Sequence, residues 1–343
     1  WRLDDLRPYI YRTHDGGKHW QLVTHGLPGD SPANVVREDP VRRGLLYAGT
    51  ERSVYVSYDD GNQWQSLQLN LPSTSIRDLV VHDNDIVVGT HGRSFWILDD
   101  VEPLREGRVT TAHLYKPAVA YRLRRDTWTD TPLPPEEPAG ENPPDGAIID
   151  YYLPQNVSGA VKLAIYDSAG KLVRAFSSTD KPVPIDPEIT VPTYWVRPTR
   201  IPGASAGMHR FLWDYRYPEP KSIAHDYPIS AIYEDTPRVP EGVLALPGHY
   251  TVRMTAGGRT YTQPLTLKMD PRLHVSAGAL RLQFTMAQHI TALMAKTDNK
   301  KYARYNYQLA QLLDAVEGAD GQTVTPAIFD AVRDIALKLQ NVH

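Results

Sequence analysis

One eight-residue pattern occurs twice near the start of the chain, and its spacing restricts the fold more than any other feature. Thr13-His14-Asp15-Gly16-Gly17-Lys18-His19-Trp20 aligns with Ser57-Tyr58-Asp59-Asp60-Gly61-Asn62-Gln63-Trp64, 44 residues later. A second element repeats with it. Gly49-Thr50-Glu51 leads into Val54-Tyr55-Val56-Ser57, and Gly89-Thr90-His91 leads into Ser94-Phe95-Trp96-Ile97. The latter copy ends at Asp99-Asp100 and lacks the Gly and Trp. A period of about 40 to 45 residues with several short strands per unit is the signature of a β-propeller blade. Inner strands are expected at 34–38 and 76–82, followed by strands at 46–50 and 86–90, then 54–58 and 94–98, with an outer strand at 65–69.

The residue types explain the motif. A Ser or Thr hydroxyl and an Asp carboxylate satisfy backbone groups within a tight turn. Gly17 and Gly61 supply a conformation closed to side chains with a Cβ. Trp20 and Trp64 are then expected to re-enter the next strand as large anchors between neighbouring sheets. Thr13, Asp15, Gly17, Trp20, Ser57, Asp59, Gly61 and Trp64 thus read as structural residues.

This S/T-x-D-x-G-x-x-W pattern resembles the Asp box, or BNR repeat, of sialidases, related glycoside hydrolases and sortilin-like propellers. Both copies depart from the commonest form, with His19 or Gln63 where Thr is usual. A closed propeller needs about four to eight blades, and two and a fraction are legible here. The expectation is therefore a C-terminal portion of a larger propeller protein, completed by remaining blades or by another chain.

Residues 131–144, TPLPPEEPAGENPP, read as an extended proline-rich linker. Beyond it the pattern alternates with period two at 147–153, 161–166, 172–176, 209–213, 250–254 and 260–267. Turns are expected at Asp167-Ser168-Ala169-Gly170 and at Gly257-Gly258. Short strands at this spacing predict an immunoglobulin- or fibronectin-like β-sandwich. The last seventy residues change to a period of three and four. Leu280, Phe284, Ala287, Ile290 and Met294 form one series, Tyr302, Tyr305, Leu309, Leu312 and Val316 a second, and Ile328, Val332, Ile335 and Leu339 a third. Ser276 suits a helix cap, and Thr325-Pro326 a helix start. The fold class expected is mainly β: about two propeller blades (1–107), a connecting strand and linker (108–145), a β-sandwich (146–270) and a three-helix region (271–343).

Met208-His209-Arg210-Phe211-Leu212-Trp213-Asp214 and Pro247-Gly248-His249-Tyr250-Thr251-Val252 are similar to segments that follow the propeller in large bacterial BNR proteins. Thr90-His91-Gly92-Arg93 through Asp100 resembles that family's exit from its last blade. The resemblance implies an extracellular or periplasmic protein, with a sortilin-like or glycoside-hydrolase-like propeller.

Candidate functional residues follow from where the strands converge. Glu51 and Asp78 are the candidate catalytic carboxylates, accompanied by Glu38, Arg37 and Arg77. His91 and Arg93, flanking Gly92, are the candidate ligand contacts, since a glycine beside two cations suits an anion or a sugar. Two readings arise: a binding or scaffold module for a glycan or peptide, or part of a glycoside hydrolase whose carboxylates lie mainly in other blades. Other classes fit poorly. The net charge of −3 lacks the basic footprint of a nucleic-acid binder. No apolar run reaches the roughly 18 residues of a membrane span. No cysteine is present, which removes disulfides and thiolate sites. Twelve histidines fall into no HxH or HExxH spacing, so no metal is expected. Phosphate loops and the G-x-S-x-G elbow are missing, and no cofactor is expected.

Overall fold

The computed structural model describes residues 4–123, 134, 136–137, 140–187, 189–229, 233–318 and 324–340. The chain is mainly β, with several sheets and a C-terminal helical region. It divides into two compact units, Trp1–Val109 and Thr110–His343. Residues 131–133, 135 and 138–139 of the proline-rich segment lie outside the described residues.

In the first unit, β1 (Tyr11–Arg12) and β2 (Gln21–Leu22) form an antiparallel hairpin closed by the first Asp-containing turn. Next come β3 (Ala33–Glu38), β4 (Leu46–Thr50), β5 (Val54–Ser57) and β6 (Gln65–Ser66), a four-stranded antiparallel sheet in sequential order. A three-stranded sheet repeats the pattern with β7 (Ile76–His82), β8 (Asp85–Thr90) and β9 (Phe95–Leu98), before a short helix, α1 (Glu102–Glu106). The edge strand β6 is shorter than the spacing predicts. It pairs only with β5 and ends where Leu67 donates to Val54.

The repeat extends to irregularities. Register shifts at Ala33/Val35 and at Ile76/Asp78 leave Asn34 and Arg77 unpaired at equivalent places in successive sheets. Such bulges redirect a side chain out of the regular pleat. Opposite them, Gly49 is required by packing: a Cβ there would sit 2.5 Å from Ile76 Cγ2 of the next sheet. That contact continues a core of Val35, Tyr47, Val54, Leu79 and Val88 shared by the two sheets.

Both turns fold alike. Thr13 Oγ1 donates to Asp15 and accepts from the Gly17 amide, while the His19 amide donates to Asp15 Oδ1. Ser57, Asp59, Gly61 and Gln63 reproduce each bond. Residues 19 and 63 contribute the same backbone amide to the turn, and the His19 imidazole adds a side-chain bond to Asp15. The two tryptophans differ. Trp64 is 1% exposed, packs with Ile10, Val23 and Ala48, and donates its indole N–H to Val23 O at 2.8 Å. Trp20 is 60% exposed, contrary to the expected anchor, and its indole N–H turns back to Gly17 O. Trp64 is covered by the preceding hairpin, whereas no sheet precedes β1 among the described residues.

In the second unit, β10 (His113–Leu114), β11 (Ala120–Arg122), β12 (Ala147–Leu153), β13 (Lys162–Asp167), β14 (Leu172–Ser177), β15 (Gly207–Trp213), β16 (Gly248–Ala256) and β17 (Arg259–Met269) make two sheets. One has the order β10-β12-β15 and the other β11-β17-β16-β13-β14, antiparallel except for β11 against β17. Ile149, Tyr151, Phe211 and Trp213 from the first sheet and Leu163, Ile165, Val252 and Leu265 from the second form one buried core. The Gly257-Gly258 turn has positive φ at both residues, as a two-residue hairpin of matching twist requires.

Helices α2 (Ala277–Lys296), α3 (Ala303–Glu317) and α4 (Pro326–Gln340) follow. Ser276 Oγ caps α2 by accepting from the Ala279 amide. Ala287, Ile290, Met294, Leu309, Val316 and Val332 are buried together, and in α3 Leu313 rather than Leu312 joins Leu309 in the core. Val243 joins this core, and Asn306, wholly buried, ties the Lys221–Ile223 backbone to α3. The sandwich-like sheets and the helices therefore belong to one unit.

Truncating a buried tryptophan costs about 3–5 kcal/mol. Trp64→Ala is expected to lower unfolding free energy by that amount in urea titration, whereas Trp20→Ala should cost about 1 kcal/mol or less.

Candidate functional site

Of the sequence-predicted residues of the first unit, Glu51 follows β4 and His91 and Arg93 follow β8, while Arg37, Glu38, Arg77 and Asp78 lie on β3 and β7. Thr50 and Thr90 make matching turns: each hydroxyl accepts a following backbone N–H and approaches the carbonyl of Ser53 or Ser94. The Glu51 amide donates to Pro32 O and the His91 amide to Ser75 O, so Glu51 and His91 hold equivalent positions in successive sheets. Glu51 Oε1 accepts from Asn34 Nδ2 at 3.0 Å and pairs with Arg77 at 3.2 Å, so both bulged residues aim at it. Partial burial pushes Glu51 up, but its hydrogen bonds and the Arg77 and His91 charges outweigh that and hold it below the ordinary carboxylate value.

Asp78 is engaged elsewhere, accepting from Arg37 Nη2 and the Leu79 amide, both at 2.8 Å. Glu38 accepts from the Gly44 amide. Glu51 and Asp78 thus sit in separate ion pairs rather than facing one another as an acid–base couple. His91 and Arg93 are exposed on the Thr90–Ser94 turn, where Gly92 has φ +82° and Arg93 O accepts the Trp96 indole N–H. Asp15 lies in its turn, held down to about 2 by the His19 amide and then the His19 side chain. Among the described residues no cluster of three His, Asp or Glu is arranged to hold a metal ion, and no helix is long and apolar enough to cross a membrane.

The second unit contains a cavity of about 640 Å³ that sequence reasoning did not find. Its walls come from β14, from Asp180–Ile185 and Thr193–Arg200, and from residues after β15. These stretches lack periodicity and carry many prolines, so no sequence signal marks them. An ion network borders the space. Arg197 pairs with Asp235 at 2.6 Å and Glu241 at 3.0 Å, and Arg216 with Glu241 at 2.9 Å and Glu317 at 3.5 Å. Arg238 pairs with Glu219. Arg200 differs. Its Nη1 reaches only two backbone carbonyls, Asp145 O at 3.3 Å and Leu212 O at 3.4 Å, and no carboxylate among the described residues lies within 4 Å. Burial lowers both arginines, yet the Glu241 and Asp235 charges restore Arg197 above its ordinary value while Arg200 stays below its own. Tyr227 also lines the cavity; it is 5% exposed and its hydroxyl has no partner among the described residues.

Comparison with known proteins gives little. No family model matches the chain, and no curated protein matches. Matches among solved structures include the extracellular domain of a proposed one-component system, BT4673, from B. thetaiotaomicron. The likeness is 7% identity with a TM-score of 0.22, covering 78% of this chain and 29% of that one. The chain therefore spans under a third of that neighbour's length, and a TM-score of that size carries no argument.

His225, between the cavity residues Glu219 and Tyr227, has its pKa lowered by burial first and then by the Arg238 charge, against weaker opposing effects of the Val239 backbone and Asp186. The unfolded chain binds this proton more readily than the folded one, so stability declines as pH falls through the unfolded value of about 6.5. Urea titrations at pH 7 and pH 5 should show a smaller loss for His225→Gln than for the wild type.

Proposed function

We propose that the first unit is part of an Asp-box β-propeller, and that the chain acts outside the cytoplasm as a binding or scaffold module for a glycan or peptide. Support for the architecture is the recurrence of turn, bulge and glycine contact between successive sheets. Gly49 carries Ile76 of the following sheet, whereas its counterpart Gly89 has only Phe95 of its own sheet and Asp78 backbone near it. Exposed Tyr9, Tyr11, Trp20 and Leu22 on the hairpin, with Phe95 and Ile97 on β9, suit further sheets of the same kind, from the same protein or another chain. On this reading the two facing sheets of the second unit are an immunoglobulin-like accessory module.

One observation favours binding over hydrolysis: each candidate carboxylate is committed to its own arginine. Glycoside hydrolysis needs two carboxyl groups about 5–9.5 Å apart across the scissile bond, one kept protonated by a raised pKa. Glu51 is shifted the opposite way. A glycan-array screen followed by product analysis should show retention without bond cleavage, and Glu51→Gln should leave product at background. Turnover that Glu51→Gln abolishes would establish the hydrolase reading instead.

A further inference from the structure

We propose that the cavity of the second unit is a binding site for a small organic carboxylate, gripped by the Arg200 guanidinium and the Tyr227 hydroxyl. The proposal stands on the second unit alone and does not depend on the propeller reading.

A guanidinium presents five donors in a planar fork and keeps its charge in every ordinary environment. Drawing it out of water is costly unless an anion and hydrogen bonds replace the lost hydration. Of the other arginines on the cavity, Arg197 meets two carboxylates, Arg216 two and Arg238 one, while Arg174 donates to the Tyr217 carbonyl and lies over the Phe176 ring. Arg200 uses a single nitrogen for two long bonds to carbonyls, and its Nε and Nη2 have no partner among the described residues. Those two nitrogens form the edge that accepts a carboxylate in bidentate fashion.

Tyr227, also on the cavity wall, has a buried hydroxyl with no partner among the described residues. A buried hydroxyl without a partner is unfavourable in the free protein and is relieved by an acceptor. Pro182, Val183 and Pro198 offer an apolar wall for the ligand's body, while Asp214, which takes the Arg216 amide, can accept a hydroxyl. Its charge disfavours a second anionic group. The volume falls within the roughly 300–1,000 Å³ usual for small-molecule sites. These features together select one carboxylate on a compact, partly hydroxylated body.

The test is calorimetric titration of the full chain with acetate, lactate and glucuronate, beside acetamide, lactamide, glucose and inorganic phosphate. Saturable millimolar or tighter binding of at least one carboxylate is expected, with its neutral counterpart at least tenfold weaker and phosphate weaker also. Arg200→Gln should weaken that binding tenfold or more. Tyr227→Phe should weaken it severalfold while leaving the melting temperature unchanged or raised. Should Arg200→Gln fail to fold, Arg200→Lys keeps the charge but loses the bidentate fork, and is expected to weaken carboxylate binding severalfold while keeping the preference over the neutral counterpart. Binding of no carboxylate, equal affinity for charged and neutral partners, preference for phosphate, or unaltered affinity in the Arg200 and Tyr227 variants would each overturn the proposal.

Discussion

The first unit depends on a single wedge, the Trp64 indole inserted between the β1–β2 hairpin and the following sheet. Three backbone-directed bonds hold this place: the Trp64 amide to His25 O, the indole N–H to Val23 O, and the Val23 amide to Ile10 O. Polar and apolar demands are met together, because the ring fills the space between sheets while its one polar atom finds a carbonyl at the bottom of it. The turn before it delivers the tryptophan at the right angle, with Ser57 and Asp59 satisfying the amides of Gly61 and Gln63. Trp20 shows the complement. The same turn makes the same bonds, yet with no sheet before it among the described residues its ring lies in solvent. The turn is local chemistry; the wedge is a tertiary event.

A similar division runs through the second unit. Regular strands supply rigidity, and irregular chain between them supplies chemistry. β12 and β15 align Asp150 with Arg210 across a paired register, where a cross-strand ion pair neutralises a buried carboxylate. The cavity, by contrast, is bounded chiefly by segments between strands, steadied by the Arg197–Glu241–Arg216–Glu317 network and by the Asp226–Val239 backbone pairing. Loops braced on a rigid scaffold are where binding groups are generally found.

What could be read from the chain alone divides along the same line. Strand β12 matches the alternation at 147–153 residue for residue, and the Ser276 cap and Thr325-Pro326 start locate two helices correctly, because period and capping are local signals. The equivalence of Glu51 and His91 follows from their shared Gly-Thr prefix. Their partners do not: that Asn34 and Arg77 turn toward Glu51 depends on bulges created by register, which no spacing reveals. Arg200 carries even less signal. It is one of four arginines between residues 197 and 216, and only three-dimensional pairing leaves this one without a carboxylate among the described residues.

Exchange of the indole hydrogens, followed by NMR after transfer to heavy water, tests the central claim most directly. If Trp64 is the wedge between successive sheets, its indole hydrogen exchanges only when the first unit unfolds globally, while that of Trp20 exchanges rapidly despite an identical turn. Comparable fast exchange at both positions would contradict the account, since no packed interface would then stand over Trp64.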